Sequence, residues 1–147
     1  MQPMQLTKQF TEEQYMKALS SWYWLDGLDA LTPGFASLFG DLFLVDADRA
    51  WWFLDTMEGT LNREWNGRDE LLATLDTEQG QDRYLMGGLA LGAFHRRGLE
   101  LGPDQVYAWA PPPMITRSFE VDDIAVFPFV VAVHVAGQFH APQVSRP

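Results

Sequence analysis

"FGDLFLVDADRAWWFLDTMEGT", residues 39–60, decides the fold of this chain. After Asp41 the residues to Val45 are apolar on both faces, and so are Trp51 to Leu54. Between them lies the short polar connector Asp46 to Arg49. Two apolar runs joined by a few turn-forming residues predict a β-hairpin. Apolar side chains on both faces imply strands covered on both sides, or one side that meets a partner. Gly59 to Glu64 is a candidate third strand. One question stays open at the tip: Asp46 and Asp48 are either a catalytic or metal-binding pair, or the turn of the hairpin.

Outward from the hairpin, helical signals dominate. Thr11-Glu12-Glu13-Gln14 has the pattern of a capping box. Tyr15, Met16, Leu19, Trp22 and Tyr23 follow at helical spacing, so the first helix is expected over 11–22. Gly27 to Gly34, with Pro33, reads as loop. Asn66 is the expected N-cap of a helix that places Leu71, Leu72 and Leu75 on one face. A longer helix is expected from Glu78 to Arg97, with Tyr84, Leu85, Leu89 and Phe94 in its stripe. Arg96-Arg97-Gly98 is its stop signal, with cations in the last turn and Gly past the end. Residues 104–110, "DQVYAWA", are strand-like, and Pro111 to Pro113 form an extended connector without amide donors. The run 124–137 fits strand by composition and helix by the spacing of Val126, Val130, Val133 and Gly137.

These elements predict an α+β fold: a single domain over 1–147, with a small, mainly antiparallel β-sheet flanked by several α-helices. Residues 1–10 and 141–147 are expected to be flexible tails. The chain is 47% hydrophobic and 14% aromatic, enough for a sizeable core and unlike a disordered segment. No internal repeat or linker divides it.

The formal net charge is -10, which opposes binding to a phosphate backbone and attracts basic partners. The charge is uneven. Residues 26–82 hold 13 acidic residues against Arg49, Arg63 and Arg68, so this segment carries the whole excess. The chain has no Cys, hence no disulfide framework or thiol chemistry. Its N-terminus lacks the apolar core of a signal peptide, and its longest apolar run falls short of the roughly 20 residues that cross a bilayer. A soluble cytoplasmic protein is expected, without a membrane partner.

Asp46-Ala47-Asp48 after a strand resembles the start of haloacid-dehalogenase phosphatases. That chemistry needs a cation, usually Lys, and downstream carboxylates for Mg²⁺. Both Lys residues, Lys8 and Lys17, lie upstream, and no Gly-Asp motif follows the pair. A calcium loop starting at Asp46 needs Gly at its sixth position and Glu at its twelfth, where Trp51 and Met57 stand. His134 and His140 are too far apart for a metalloprotease helix, and His95 sits beside Arg96 and Arg97 at a helix end. No nucleophile elbow or phosphate-cradling loop is present. The chain is therefore expected not to be an enzyme and to need no cofactor or metal. Asp46 and Asp48 read as hairpin-tip residues.

Carboxylates and aromatics together point instead to a protein partner. The candidate contact residues are Asp46, Asp48, Trp51, Glu58, Glu64 and Trp65. For the tryptophans, a place in the core is the competing reading.

Several short stretches, in order, resemble a bacterial family of type VI secretion immunity proteins whose cognate toxins are DNases. They are Gly40-Asp41-Leu42-Phe43, Leu54-Asp55-Thr56 with Gly59-Thr60, Leu101-Gly102-Pro103 with Tyr107, Pro112-Pro113, and Gly137-Gln138. The resemblance spans residues 39–140. Where the family continues the double proline with a Gly-rich turn, this chain has Met114-Ile115-Thr116. The resemblance implies a small immunity domain of a sheet with flanking helices. It also implies a cytoplasmic protein that binds and inhibits a nuclease toxin stoichiometrically. The alternative is an interaction module of the same fold with another basic or peptide partner.

Overall fold

The computed structural model describes residues 5–142, and the two apolar runs of the opening stretch pair in it as antiparallel strands. β1 is Thr7–Lys8, β2 is Thr32–Ser37, β3 is Leu42–Val45, β4 is Trp51–Asp55 and β5 is Thr60–Trp65. They form one antiparallel sheet in the order β1-β2-β3-β4-β5. The β3–β4 register sets Leu42 opposite Leu54 and Val45 opposite Trp51. Side chains alternate across a strand, so Leu42, Leu44 and Leu54 face one way and Phe43, Trp51 and Phe53 the other.

Both faces are covered, which is why β3 shows no polar alternation. Helices α1 (Glu12–Leu19) and α6 (Phe129–His140) cover the first face. There Tyr15, Ala18, Trp22, Phe129 and Val133 join Leu42, Leu44 and Leu54 in one buried cluster. Helices α2 (Arg68–Leu75) and α3 (Glu78–Leu85) cover the second, with Leu71, Tyr84 and Leu85 against Phe43, Trp51, Phe53 and Trp65. Leu42, Phe43 and Leu44 are fully buried, and each such side chain contributes about 1.5–3 kcal/mol through removal from water.

A second, two-stranded sheet pairs β6 (Gln105–Trp109) with β7 (Ile124–Pro128). It packs with Leu38, Phe39, Ala90 and Ala93 in a third cluster. The Tyr107 amide donates to the Leu38 carbonyl at 2.7 Å and ties this sheet to the end of β2. The molecule is a single compact α+β domain.

The capping box at Thr11 forms on both sides, and helix α1 continues as a 3₁₀ turn to Trp22. Other expectations change. The 27–34 loop ends early, because β2 starts at Thr32. Pro33 is tolerated there because β1 pairs only with Ala36 and Ser37, leaving β2 an edge at Pro33, and the register shifts between Pro33 and Phe35. A Cβ on Gly34 would lie 2.5 Å from the Trp51 ring, so this glycine makes room for the indole. The helix expected over 78–97 breaks at Met86, which takes a left-handed conformation with φ 50° and ψ 48°. Gly87 and Gly88 weaken the helix, and the Asp82 carboxylate accepts the Gly88 amide at 3.0 Å at the new start. α4 (Gly87–Leu91) then runs into a π-helical turn, Gly92–Arg96, and the segment stops before Gly98 as the sequence predicts.

Gly67, not Asn66, is the N-cap of α2; Glu70 reaches back to accept the Asn66 amide at 2.8 Å. Leu72 points to solvent rather than sharing the buried face of Leu71. Of the three prolines, Pro113 starts the short helix α5 (Pro113–Thr116) instead of extending the connector. Residues 124–137 are both things the sequence allowed, in series: strand to Pro128, then helix. Pro128 is the junction, and the Phe129 amide donates to the Asp104 carbonyl at 2.7 Å.

The N-terminal tail is shorter than expected. Thr7 and Lys8 pair with β2, and Lys8 Nζ donates to the Gln105 carbonyl at 2.8 Å. Phe10 stacks on Phe129 with ring centroids 3.8 Å apart, a packing that removes it from any tail. Residues 143–147, most of the expected C-terminal tail, lie outside the described residues, as do 1–4.

Candidate functional site

The six nominated residues divide into groups that do not meet. Asp46 follows β3, and its carboxylate bonds within the hairpin tip. Oδ1 accepts the Asp48 amide at 2.8 Å and the Ala50 amide at 3.0 Å, and Oδ2 accepts the Trp52 indole N–H at 2.8 Å. The Trp52 bond first, then the backbone amides and the charge of Arg63, hold this carboxyl below the usual aspartate range. Such bonding is the turn chemistry of an Asx residue. Three of the roughly four acceptor directions of this carboxylate are thereby taken within the chain, and one on Oδ2 stays open. The structure shows Asp46 bonded as a turn residue at the tip.

Asp48 is exposed at the tip. Glu64 is exposed on β5 near the same end of the sheet, because its neighbour Trp65 pairs with Trp51. Glu58 follows β4 instead of preceding it. The five residues of β4 rise about 3.3 Å each, so Glu58 lies roughly 16 Å from the tip along the strand. Asp48 and Glu64 therefore share one end of the sheet, and Glu58 belongs to the other.

Trp51 and Trp65 are core residues, which corrects their nomination as contact residues. Trp51 is 9% exposed and lies over Gly34 beside Phe35. Trp65 is 4% exposed, packs edge-on to Tyr84, and donates its indole N–H to Thr74 Oγ1 at 3.0 Å. Alternation in a sheet covered on both faces sends these rings inward. Of the 13 acidic residues between 26 and 82, only Asp41 is buried.

Asp41 is the residue that sequence reasoning missed. Its Oδ1 accepts both the amide and the hydroxyl of Thr56, at 2.8 and 2.6 Å. Burial, and after it the charge of Asp55, push its carboxyl up to about 7, against the Thr56 bonds that pull it down. On the other side of Thr56, His140 Nε2 donates to its carbonyl at 3.0 Å. Gly59, with φ +72°, lets the His140 ring approach: a Cβ there would lie 2.7 Å from it. The end of α6 is thereby fixed to the β4–β5 turn. Among the described residues, no three His, Asp and Glu side chains converge as metal ligands would.

Beside Thr56 lies an apolar cavity of about 150 Å³. Phe39, Trp109 and Val133 form its buried floor, and Val131 and Val135 of α6, 48% and 47% exposed, stand at its mouth. Pro112 and Pro113 close one side. No local pattern announces it, because its walls come from four separate segments, around Phe39, Thr56, Trp109 and Val133.

The sequence matches no model of a known protein family, and no curated protein matches it. No helix among the described residues is long and apolar enough to cross a membrane.

Proposed function

We propose that this chain is a cytoplasmic immunity protein that binds the nuclease domain of a type VI secretion toxin and neutralises it stoichiometrically, without turnover. The observation that carries this reading is the exposure of the acidic segment. Twelve of its 13 carboxylates are at least partly exposed, against three Arg. A nuclease must be basic where it holds phosphate, so such a field steers the two together and speeds their encounter. The motif resemblance over residues 39–140 supports the same reading.

Most of the motif residues have structural duties here. Gly40 turns at φ +89°, Asp41 bonds Thr56, Asp55 accepts the amides of Met57 and Glu58, and Gly59 admits His140. They support the resemblance as a fold signature. The contacts that choose one toxin lie on other, exposed residues, among which Asp48 and Glu64 are the nominated pair at one end of the sheet.

The test is a pull-down with the inactivated nuclease domain of the toxin that this reading places beside the gene. Co-purification, weakened by Asp48→Lys with Glu64→Lys, is expected. Failure of the wild-type chain to bind that domain removes the proposal.

A further inference from the structure

α6 has an unusual surface for an acidic protein. From Phe129 to His140 it contains no Asp, Glu, Lys or Arg. Val131, Val135 and Phe139 recur every four residues and so stand in one row on its outer side, each about half exposed. Across the adjoining groove stands Phe119, 47% exposed. Isolated apolar residues on a surface are ordinary, but a continuous row beside an open cavity marks a contact site.

The cavity itself selects the chemistry of its occupant. Thr56, the polar residue of its lining, has its hydroxyl donated to Asp41 and its carbonyl engaged by His140. Among the described residues, no buried polar side-chain atom lacks a partner. Nothing in the cavity waits for a polar group. Apolar cavities of about 150 Å³ hold a benzene ring, so the space suits one phenylalanine- or leucine-sized side chain.

The surroundings select the kind of molecule that brings that side chain. Glu58 stands exposed at the groove, with Arg117 the cation that lines it. A net charge of -10 repels a second copy of this chain and attracts a basic protein. We propose that the cavity beneath Val131 and Val135 is the anchor pocket of this protein: it receives one apolar side chain from a basic protein partner, with the α6 row packed around it. Buried apolar anchors surrounded by a polar rim dominate the energy of many protein interfaces. The proposal rests on the immunity reading for the partner's identity, but the pocket's chemistry stands apart from it.

Two measurements separate those parts. In the first, benzene is titrated into the protein while methyl resonances are followed by NMR. Saturable shifts at Val133, Val135 and Met57 are expected, and shifts elsewhere, or none, overturn the pocket. In the second, Val131→Lys and Val135→Lys are made singly at these half-exposed positions and tested against the inactivated nuclease domain. Each should weaken binding by about 30-fold, the loss of a hot-spot contact, while the thermal midpoint holds. If the wild-type chain binds and both variants bind as tightly, the anchor proposal fails and the immunity reading stands. If the wild-type chain does not bind, the immunity reading fails and takes the partner assignment with it. A dimer that Val135→Lys dissociates makes the occupant a second copy and also overturns the proposal.

Discussion

The buried carboxylate of Asp41 accepts both the amide and the hydroxyl of Thr56, at 2.8 and 2.6 Å. The bond clips the β2–β3 turn to the turn that follows β4. Its carboxyl sits near 7, whereas an unfolded aspartate titrates near 3.9. Between those values the folded chain holds a proton that the unfolded chain has released. The contribution of this group to stability is therefore full below about pH 4, falls as pH rises to about 7, and is level above.

Asp41→Asn removes that titration and keeps the shape. The stability difference between wild type and variant should shift against the wild type by a few kcal/mol between about pH 4 and pH 8. Urea midpoints at several pH values measure it. A difference that is independent of pH contradicts the buried, proton-holding carboxyl.

Gly137 lies where α6 meets the 3₁₀ turn after α1. A Cβ there would stand 2.7 Å from the Trp22 ring, which is fully buried and donates its N–H to the Val133 carbonyl at 2.9 Å. The ring has no room to move aside. Gly137→Ala should cost about 1–3 kcal/mol by overpacking, read from denaturant unfolding, although alanine favours helix. A stabilised variant contradicts the close approach.

Asp46 and Asp48 differ by two positions and should behave in opposite ways. Asp46→Ala removes the acceptor of two amides and an indole N–H, so the hairpin tip loosens and stability falls. Its affinity for a partner should hold. Asp48→Lys should leave the unfolding midpoint in place and slow association with a basic partner severalfold. Stopped-flow association beside thermal melts tests both. Slower binding by Asp46→Ala with Asp48→Lys unaffected reverses the assignment.

The hairpin was legible because two apolar runs around a polar connector leave few alternatives, and α1 because a capping box preceded a clear helical stripe. β2 was hidden by Pro33 and Gly34, which read as loop. Their places in a strand depend on a short neighbour, β1, and on a ring, Trp51, supplied from elsewhere. The break at Met86 depends on Asp82 capping Gly88, a choice that helical periodicity does not register.

At the candidate site, the carboxylates were readable as acidic surface but not as a geometry. Glu58 and Asp48 are close in sequence and lie at opposite ends of β4. Trp51 and Trp65 were drawn toward an interface by their charged neighbours, while strand alternation places both rings inside. Asp41 was invisible as a buried group because its partner is 15 residues away.

Electrostatic steering gives a further expectation for the complex. The association rate with the basic nuclease domain should fall steeply as salt rises from about 10 mM to 150 mM, because the screening length shrinks from about 30 to 8 Å. Stopped-flow fluorescence of the six Trp provides the signal. A rate indifferent to salt removes the role of the acidic segment in the encounter.

The most direct measurement of the immunity reading is a titration, with this chain, of DNA cleavage by the nuclease domain of the toxin that the reading places beside its gene. Stoichiometric neutralisation predicts that activity falls linearly and reaches zero at equimolar protein. Cleavage undiminished by an excess of the chain contradicts it.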